Sequence, residues 1–173
     1  MQINNKSSGV PLYTPAQRRR RDRTRWTLVQ GVLAPVQFLA CAVSLVLVVR
    51  CLATGRGLWI AQASVLVKTA LLYAIMITGS YWERAVFGRW LFAGPFFWED
   101  VVSMLVIALH TAYVAALVGG FLAPRAQLQL ALAAYASYAV NAAQFLLKFA
   151  AARRSANVIS TDAVRLHGAE ACT

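Results

Sequence analysis

The chain holds few residues able to do acid–base chemistry, and they are concentrated. Three of its six acidic residues, Glu83, Glu99 and Asp100, fall between positions 81 and 100. Neighbouring carboxyl groups at an apolar boundary can hold a proton between them, and a carboxylic acid so held can donate it to substrate or take it back. Two further residues stand out by location: His110 and Lys68 sit near the middle of long apolar runs. A charge at such a position costs at least ~2.5 kcal/mol even on the mildest insertion scale, so it usually marks a ligand, a proton path or a partner, although Lys68 could equally pair with a buried acceptor for structure.

Each of these residues also has a structural reading. Glu83 and Asp100 could pair with Arg84 or Arg89, and Glu99 or Asp100 could sit at a helix N-terminus. Gln37, Ser44 and Asn141 could be simple interhelical hydrogen-bonding groups. Lys148 is expected to snorkel to the interface.

The elements that must position them are membrane helices. Of the 173 residues, 60% are hydrophobic and 13% charged, against roughly 45–50% and about 25% in soluble domains. A helical span needs ~20 predominantly apolar residues. Four windows meet this: Trp26 to Val49, Leu58 to Tyr81, Phe97 to Phe121 and Gln127 to Phe149. No ten-residue alternation suggests a barrel, and backbone in lipid must satisfy its own hydrogen bonds, so these windows are expected to be helices. The fold class is therefore all-α and integral to the membrane, with four transmembrane helices. The domain plan is a polar, basic segment over 1–25, a four-helix domain over 26–152 and a polar tail over 153–173.

Basic residues set the expected orientation. Arg18, Arg19, Arg20, Arg21, Arg23 and Arg25 precede the first span, Arg84 and Arg89 lie between the second and third, and Lys148, Arg153, Arg154 and Arg165 follow the fourth. The other side has Arg50, Arg56 and Arg125. The positive-inside rule places both termini in the cytoplasm. The net charge of +11 thus reads as topology and lipid-headgroup anchoring rather than nucleic-acid binding. Trp26, Trp59, Trp82 and Trp98 fall near span ends, where interfacial aromatics belong. Cys41, Cys51 and Cys172 form no CxxC pair and read as free thiols.

Helical spacing then groups the polar residues into stripes. Gln30, Gln37, Cys41 and Ser44 share a face of the first span, in which Pro35 should introduce a bend. Glu99, Ser103, Val106 and His110 share a face of the third, with Tyr113 at its edge. Ser137, Asn141, Gln144 and Lys148 share a face of the fourth. Turned inward, these faces would make a polar interior in a greasy shell. The stretch 81–100, read as a loop, has five charged residues in twenty and many aromatics, which suits a platform for a flat apolar ligand.

Several strings resemble a known family. They are Pro11-Leu12-Tyr13-Thr14-Pro15 with Gln17 to Asp22, Trp26 to Pro35, Trp82-Glu83 with Val86-Phe87-Gly88 and Leu91-Phe92-Ala93, and Phe96 to Val101 running on through Ser103 to Tyr113. Together they are similar to the vinyl bacteriochlorophyllide hydratases over roughly residues 11–150. The resemblance implies a small multi-pass lyase of the bacterial inner membrane that adds water to the C3 vinyl group of a chlorophyllide-type pigment in bacteriochlorophyll synthesis. It implies no cofactor, since the magnesium belongs to the substrate. Expected partners are the pigment and the bilayer, with a homo-oligomer or contacts to other pigment-synthesis enzymes open to it. The resemblance carries no residue roles, so these follow from the chemistry. Glu99, Asp100 and Glu83 are the candidate acids and bases. His110, Lys68, Tyr113, Trp98, Arg84, Arg89 and Asn141 are the candidate substrate-binding residues, with His110 a candidate axial ligand to the substrate's magnesium and Arg84 or Arg89 holding its propionate. The competing classes are a non-catalytic tetrapyrrole carrier and a small structural subunit of a membrane complex.

Overall fold

The computed structural model describes the backbone of residues 12–170 and the side chains of residues 12–153. Pro11, Cys172 and the side chains of Arg154 and Arg165 lie outside that description. Five α-helices follow in order: α1 (Pro15–Arg23), α2 (Arg25–Thr54), α3 (Leu58–Phe87), α4 (Phe97–Gly119) and α5 (Pro124–Glu170), with one 3-10 turn (Gly94–Phe96) before α4. Four helical stretches, α2, α3, Gly94–Gly119 and Pro124–Arg153, are long and apolar enough to cross a membrane.

Helices α2, α3 and α5 overrun the spans expected from hydropathy, while α4 ends at Gly119, just short of the expected Phe121. Thirty residues of α3 extend about 45 Å, against a hydrocarbon core of ~30 Å, so a turn or more projects past each boundary. This corrects the reading of residues 81–100 as a loop. Glu83 stands on the last turns of α3 and Glu99 and Asp100 on the first turn of α4, which leaves the link between the helices short. Gly88 closes α3 in the left-handed region (φ 79°), where a residue with a Cβ is strained. Both polar ends contain helix: α1 is built from residues of the basic segment, opened by a capping box between Thr14 and Gln17, and α5 continues through the tail to Glu170. Helix α2 runs unbroken through Pro35.

The bundle is made of two antiparallel hairpins, α2 with α3 and α4 with α5, each tightly packed along its length, meeting at a thinner seam. Inside the first hairpin Gln30 Nε2 donates to Thr78 Oγ1 (2.7 Å) and Ser44 Oγ shares a hydrogen bond with Ser64 Oγ (2.7 Å). Across the seam α2 touches α5, with Ser44 Oγ 2.6 Å from Tyr135 OH and Phe38 stacked obliquely on Tyr138. The first and last spans are therefore neighbours.

The stripes turn inward as expected: Gln37, Ser44, Lys68, Glu99, Ser103, His110 and Asn141 are all buried. Large apolar residues such as Leu28, Leu39, Val46 and Leu147 face outward. Such exposure fits lipid as the surrounding solvent. Cys41 and Cys51 are free thiols.

Candidate active site

At one end of the bundle, Glu83 on α3 and Asp100 on α4 come together at the seam, near enough for their carboxyls to act on each other. Two carboxylates so placed repel, and a proton on one of them relieves that repulsion. The link between the helices folds over the pair: Phe92 N–H donates to Asp100 Oδ2 (2.7 Å) and Ala93 N–H to Glu83 Oε2 (3.1 Å). Phe92 takes a left-handed conformation (φ 57°) to do so. That is uncommon for a bulky residue and costs roughly 1–2 kcal/mol. Both carboxyls are buried. They therefore hold a proton out of bulk water, with backbone N–H groups ready to steady whichever oxygen becomes negative.

The ion-pair reading of these two residues does not hold. Arg84 is exposed and stacks on Trp90 (4.6 Å to the ring centroid), and Arg89 is exposed. Neither is ion-paired; the ion pairs among the described residues are Arg21–Asp22 and Lys148–Glu99. Glu99 and Asp100 do lie at the N-terminus of α4, in its first turn, but neither caps it: Phe96 occupies the cap without a side-chain bond and Asp100 accepts from the link instead.

Glu99 has a different environment. Lys148 Nζ donates to Glu99 Oε2 (2.6 Å) and also to the Pro95 carbonyl, with Phe96 beneath the ammonium. The expectation that Lys148 snorkels to the interface is therefore corrected: it turns inward and ties α5 to the start of α4. Its place on the stripe with Asn141 and Gln144 carried that signal. Around this tie lies an aromatic cluster in which Tyr13 stacks on Phe87 and Phe96 on Phe145. Phe87 and Phe96 belong to the 81–100 stretch expected to form an aromatic platform, whereas Tyr13 and Phe145 lie outside it. Trp82 joins them rather than facing lipid, its Nε1–H bonded to Thr27 Oγ1 (3.0 Å). Trp98 is outward and 69% exposed.

Deeper in the seam the polar residues lack partners. Asn141 Nδ2 donates to Ser103 Oγ (2.8 Å), but its Oδ1 has no partner, nor have both amide atoms of Gln37, Lys68 Nζ, His110 Nε2 and Tyr113 OH. Buried polar atoms are rarely left in this state. His110 shows a specific preparation. Its Nδ1 lies 2.8 Å from the Val106 carbonyl, which can only accept, so Nδ1 carries the proton and Nε2 keeps its lone pair. That is the tautomer a metal ligand needs. Asp100 and His110 are ten residues apart on α4, about 15 Å along the axis.

By contrast, an open apolar groove of about 380 Å³ on the outside of α2 and α3, lined by Val36, Leu39, Ala40, Val43, Ser64 and Val67, holds no titratable group. It is apart from the chemistry.

Fold and site together define a polytopic helical membrane protein with a carboxyl pair at one end of its seam and a ligand-ready imidazole behind it. The chain belongs to the family described as 2-vinyl bacteriochlorophyllide hydratase (BCHF), which it matches over residues 13–151. The 2-vinyl bacteriochlorophyllide hydratase of Cereibacter sphaeroides is 62% identical over 143 residues, covering 82% of this chain and 88% of the relative. That of Rhodobacter capsulatus is 60% identical over 145 residues, covering 84% of each. No solved structure matches the chain significantly.

Proposed function

We propose that this protein is a hydro-lyase that adds water to the vinyl group of a chlorophyllide-type pigment, the substituent that the relatives' names number 2 and the current ring numbering places at C3. The observation that supports the mechanism is two buried carboxyls, Glu83 and Asp100, each accepting a hydrogen bond from the α3–α4 link; in the mechanism the pair has one proton to share. The pair delivers that proton to the terminal vinyl carbon. The cation left on the carbon beside the ring is stabilised by the conjugated macrocycle. Water adds to that carbon and gives a proton back to the pair, which is doubly anionic while the substrate is cationic and is steadied by the Phe92 and Ala93 N–H groups. One water is consumed, the C=C bond becomes CH(OH)–CH3, and the carboxyls end as they began. His110 Nε2 would bind the magnesium that the substrate brings, placing the ring plane in the seam. Glu99, held by Lys148, keeps the helices in register and is not the acid.

In this reading both termini and the α3–α4 link lie on the cytoplasmic side of the bacterial inner membrane, which the arginine distribution supports. The test is direct. Detergent-solubilised protein is incubated with a 3-vinyl chlorophyllide, and the pigments are separated by chromatography. A protein-dependent product heavier by one water, with a blue-shifted red band, supports the hydratase. Pigment that binds and returns unchanged would replace it with a carrier.

A further inference from the structure

We infer that Lys68 is the anchor for the substrate's propionate carboxylate, and that it makes the site select the free acid over the esterified pigment. The inference rests on the pigment-hydratase reading above. Lys68 is fully buried and its Nζ has no hydrogen-bond partner. Of the six acidic residues, Glu83 and Asp100 act on each other and Glu99 binds Lys148. Asp22 pairs with Arg21. Asp162 and Glu170 stand in the stretch of α5 beyond Arg153 that follows the last span. Among the described residues, Lys68 thus stands in the membrane interior without a carboxylate beside it. Its ammonium lies over the Tyr138 ring at 3.8 Å and within 5.9 Å of the Tyr135 ring. Aromatic faces moderate the charge but accept none of its hydrogen bonds in the way a carboxylate does.

Position identifies the anion. The Gln30–Thr78 and Ser44–Ser64 bonds fix the α2–α3 alignment so that Lys68 lies across from Ala40, within a turn of Gln37, whose amide is also unpartnered. The Tyr73–Thr111 bond and the Glu83–Asp100 pair align α3 with α4, and place the Lys68 backbone more than a turn beyond His110 as counted from the carboxyl pair. Three functions therefore share one seam: the carboxyl pair at its end and, deeper, an unoccupied imidazole lone pair on His110 and the Lys68 ammonium, both beside the Tyr135 ring. A chlorophyllide presents matching groups: a vinyl at one edge, a magnesium at its centre, and a flexible propionate from another pyrrole. The energetics agree in sign. A lone ammonium and a lone carboxylate each oppose burial in the membrane, and each relieves the other when they are buried together. Arg84 and Arg89 remain at the surface, too shallow for this end of a pigment whose vinyl is at the carboxyl pair.

The experiment measures pigment affinity and turnover separately, using the full chain in lipid nanodiscs. Two probes are compared: a 3-vinyl chlorophyllide and its propionate methyl ester. The wild type is expected to bind the free acid at least tenfold more tightly than the ester. Lys68→Met is expected to bring that ratio to about one, and Lys68→Arg to keep most of it. Equal wild-type affinity for acid and ester would overturn the inference. So would a preference that survives in Lys68→Met, which would return the propionate to Arg84 or Arg89. If Lys68→Met does not fold, Lys68→Gln supplies the uncharged variant, and the wild-type comparison of acid with ester needs no variant. Absence of hydrated product from both probes would instead remove the hydratase reading, while the affinity ratios still decide what Lys68 binds.

Discussion

At the scale of single residues, the three carboxyls of the site are chemically unequal, and that inequality can be measured. Glu83 and Asp100 act on each other and accept from the link backbone, whereas Glu99 is neutralised by Lys148. General acid–base catalysis contributes on the order of 10²–10⁴ in rate. Glu83→Gln and Asp100→Asn should each lower turnover at least ~100-fold while pigment still binds. Glu99→Gln should stay within a few-fold of wild type once corrected for folded protein. Steady-state turnover beside pigment titration checks this, and wild-type turnover in both dyad variants would remove the carboxyl mechanism. His110 calls for a different probe, because its role lies in the metal. With Nδ1 held by the Val106 carbonyl, the wild type should bind a magnesium chlorophyllide more tightly than the same pigment stripped of magnesium, by roughly tenfold or more, since a lost ligand bond exceeds 1.4 kcal/mol. His110→Leu should bind the two alike. If the wild type does not discriminate between them, the imidazole is not an axial ligand.

At the scale of elements, the weak point is the seam, and Lys148 is what fastens it at the catalytic end. Its ammonium joins α5 to Glu99 and to the Pro95 carbonyl. Glu99 is nearly buried and Lys148 about a quarter exposed (side-chain exposures of 7% and 26%), so removing one partner strands a charge that water only partly reaches. Lys148→Met should destabilise the bundle by about 1–3 kcal/mol, below the cost of breaking a fully buried pair. Adding Glu99→Gln should recover part of the loss, a coupling that a thermal-unfolding double-mutant cycle in detergent would read. Additive losses would mean that the pair is ornamental. The same tie shows what was and was not legible in the sequence. The four spans and their inward stripes could be read because lipid enforces apolar length and helical period. Glu83, Glu99, Asp100, His110 and Lys68 could be picked out because ionisable groups are rare in such a chain. Their pairing could not be read. Which carboxyl touches which depends on how far α3 and α4 extend past the bilayer and on a left-handed Phe92 that no local pattern announces. Lys148 was misjudged for a related reason: near a helix end, hydropathy alone does not distinguish a side chain reaching out to headgroups from one reaching across to a neighbouring helix.

At the scale of the molecule, the question is which side of the membrane the carboxyl pair faces. Four spans place the segment before α2, the α3–α4 link and the continuation of α5 on one side, and the α2–α3 and α4–α5 links on the other. The first side carries the arginines of α1, Arg84 and Arg89; the second carries Arg50, Arg56 and Arg125. Positive residues near span ends hold their side in the cytoplasm, and the exposed arginines of α1 add attraction to anionic headgroups of about 1 kcal/mol each near the surface. The catalytic end should therefore open to the cytoplasm. Single cysteines test this in a chain whose native cysteines are replaced by serine. With an impermeant maleimide applied to intact cells after outer-membrane permeabilisation, Arg56→Cys should label and Arg89→Cys should not; in inverted inner-membrane vesicles the pattern should exchange. The reverse pattern would put the carboxyl pair on the periplasmic side, and the arginines of α1 would then need a reason other than topology.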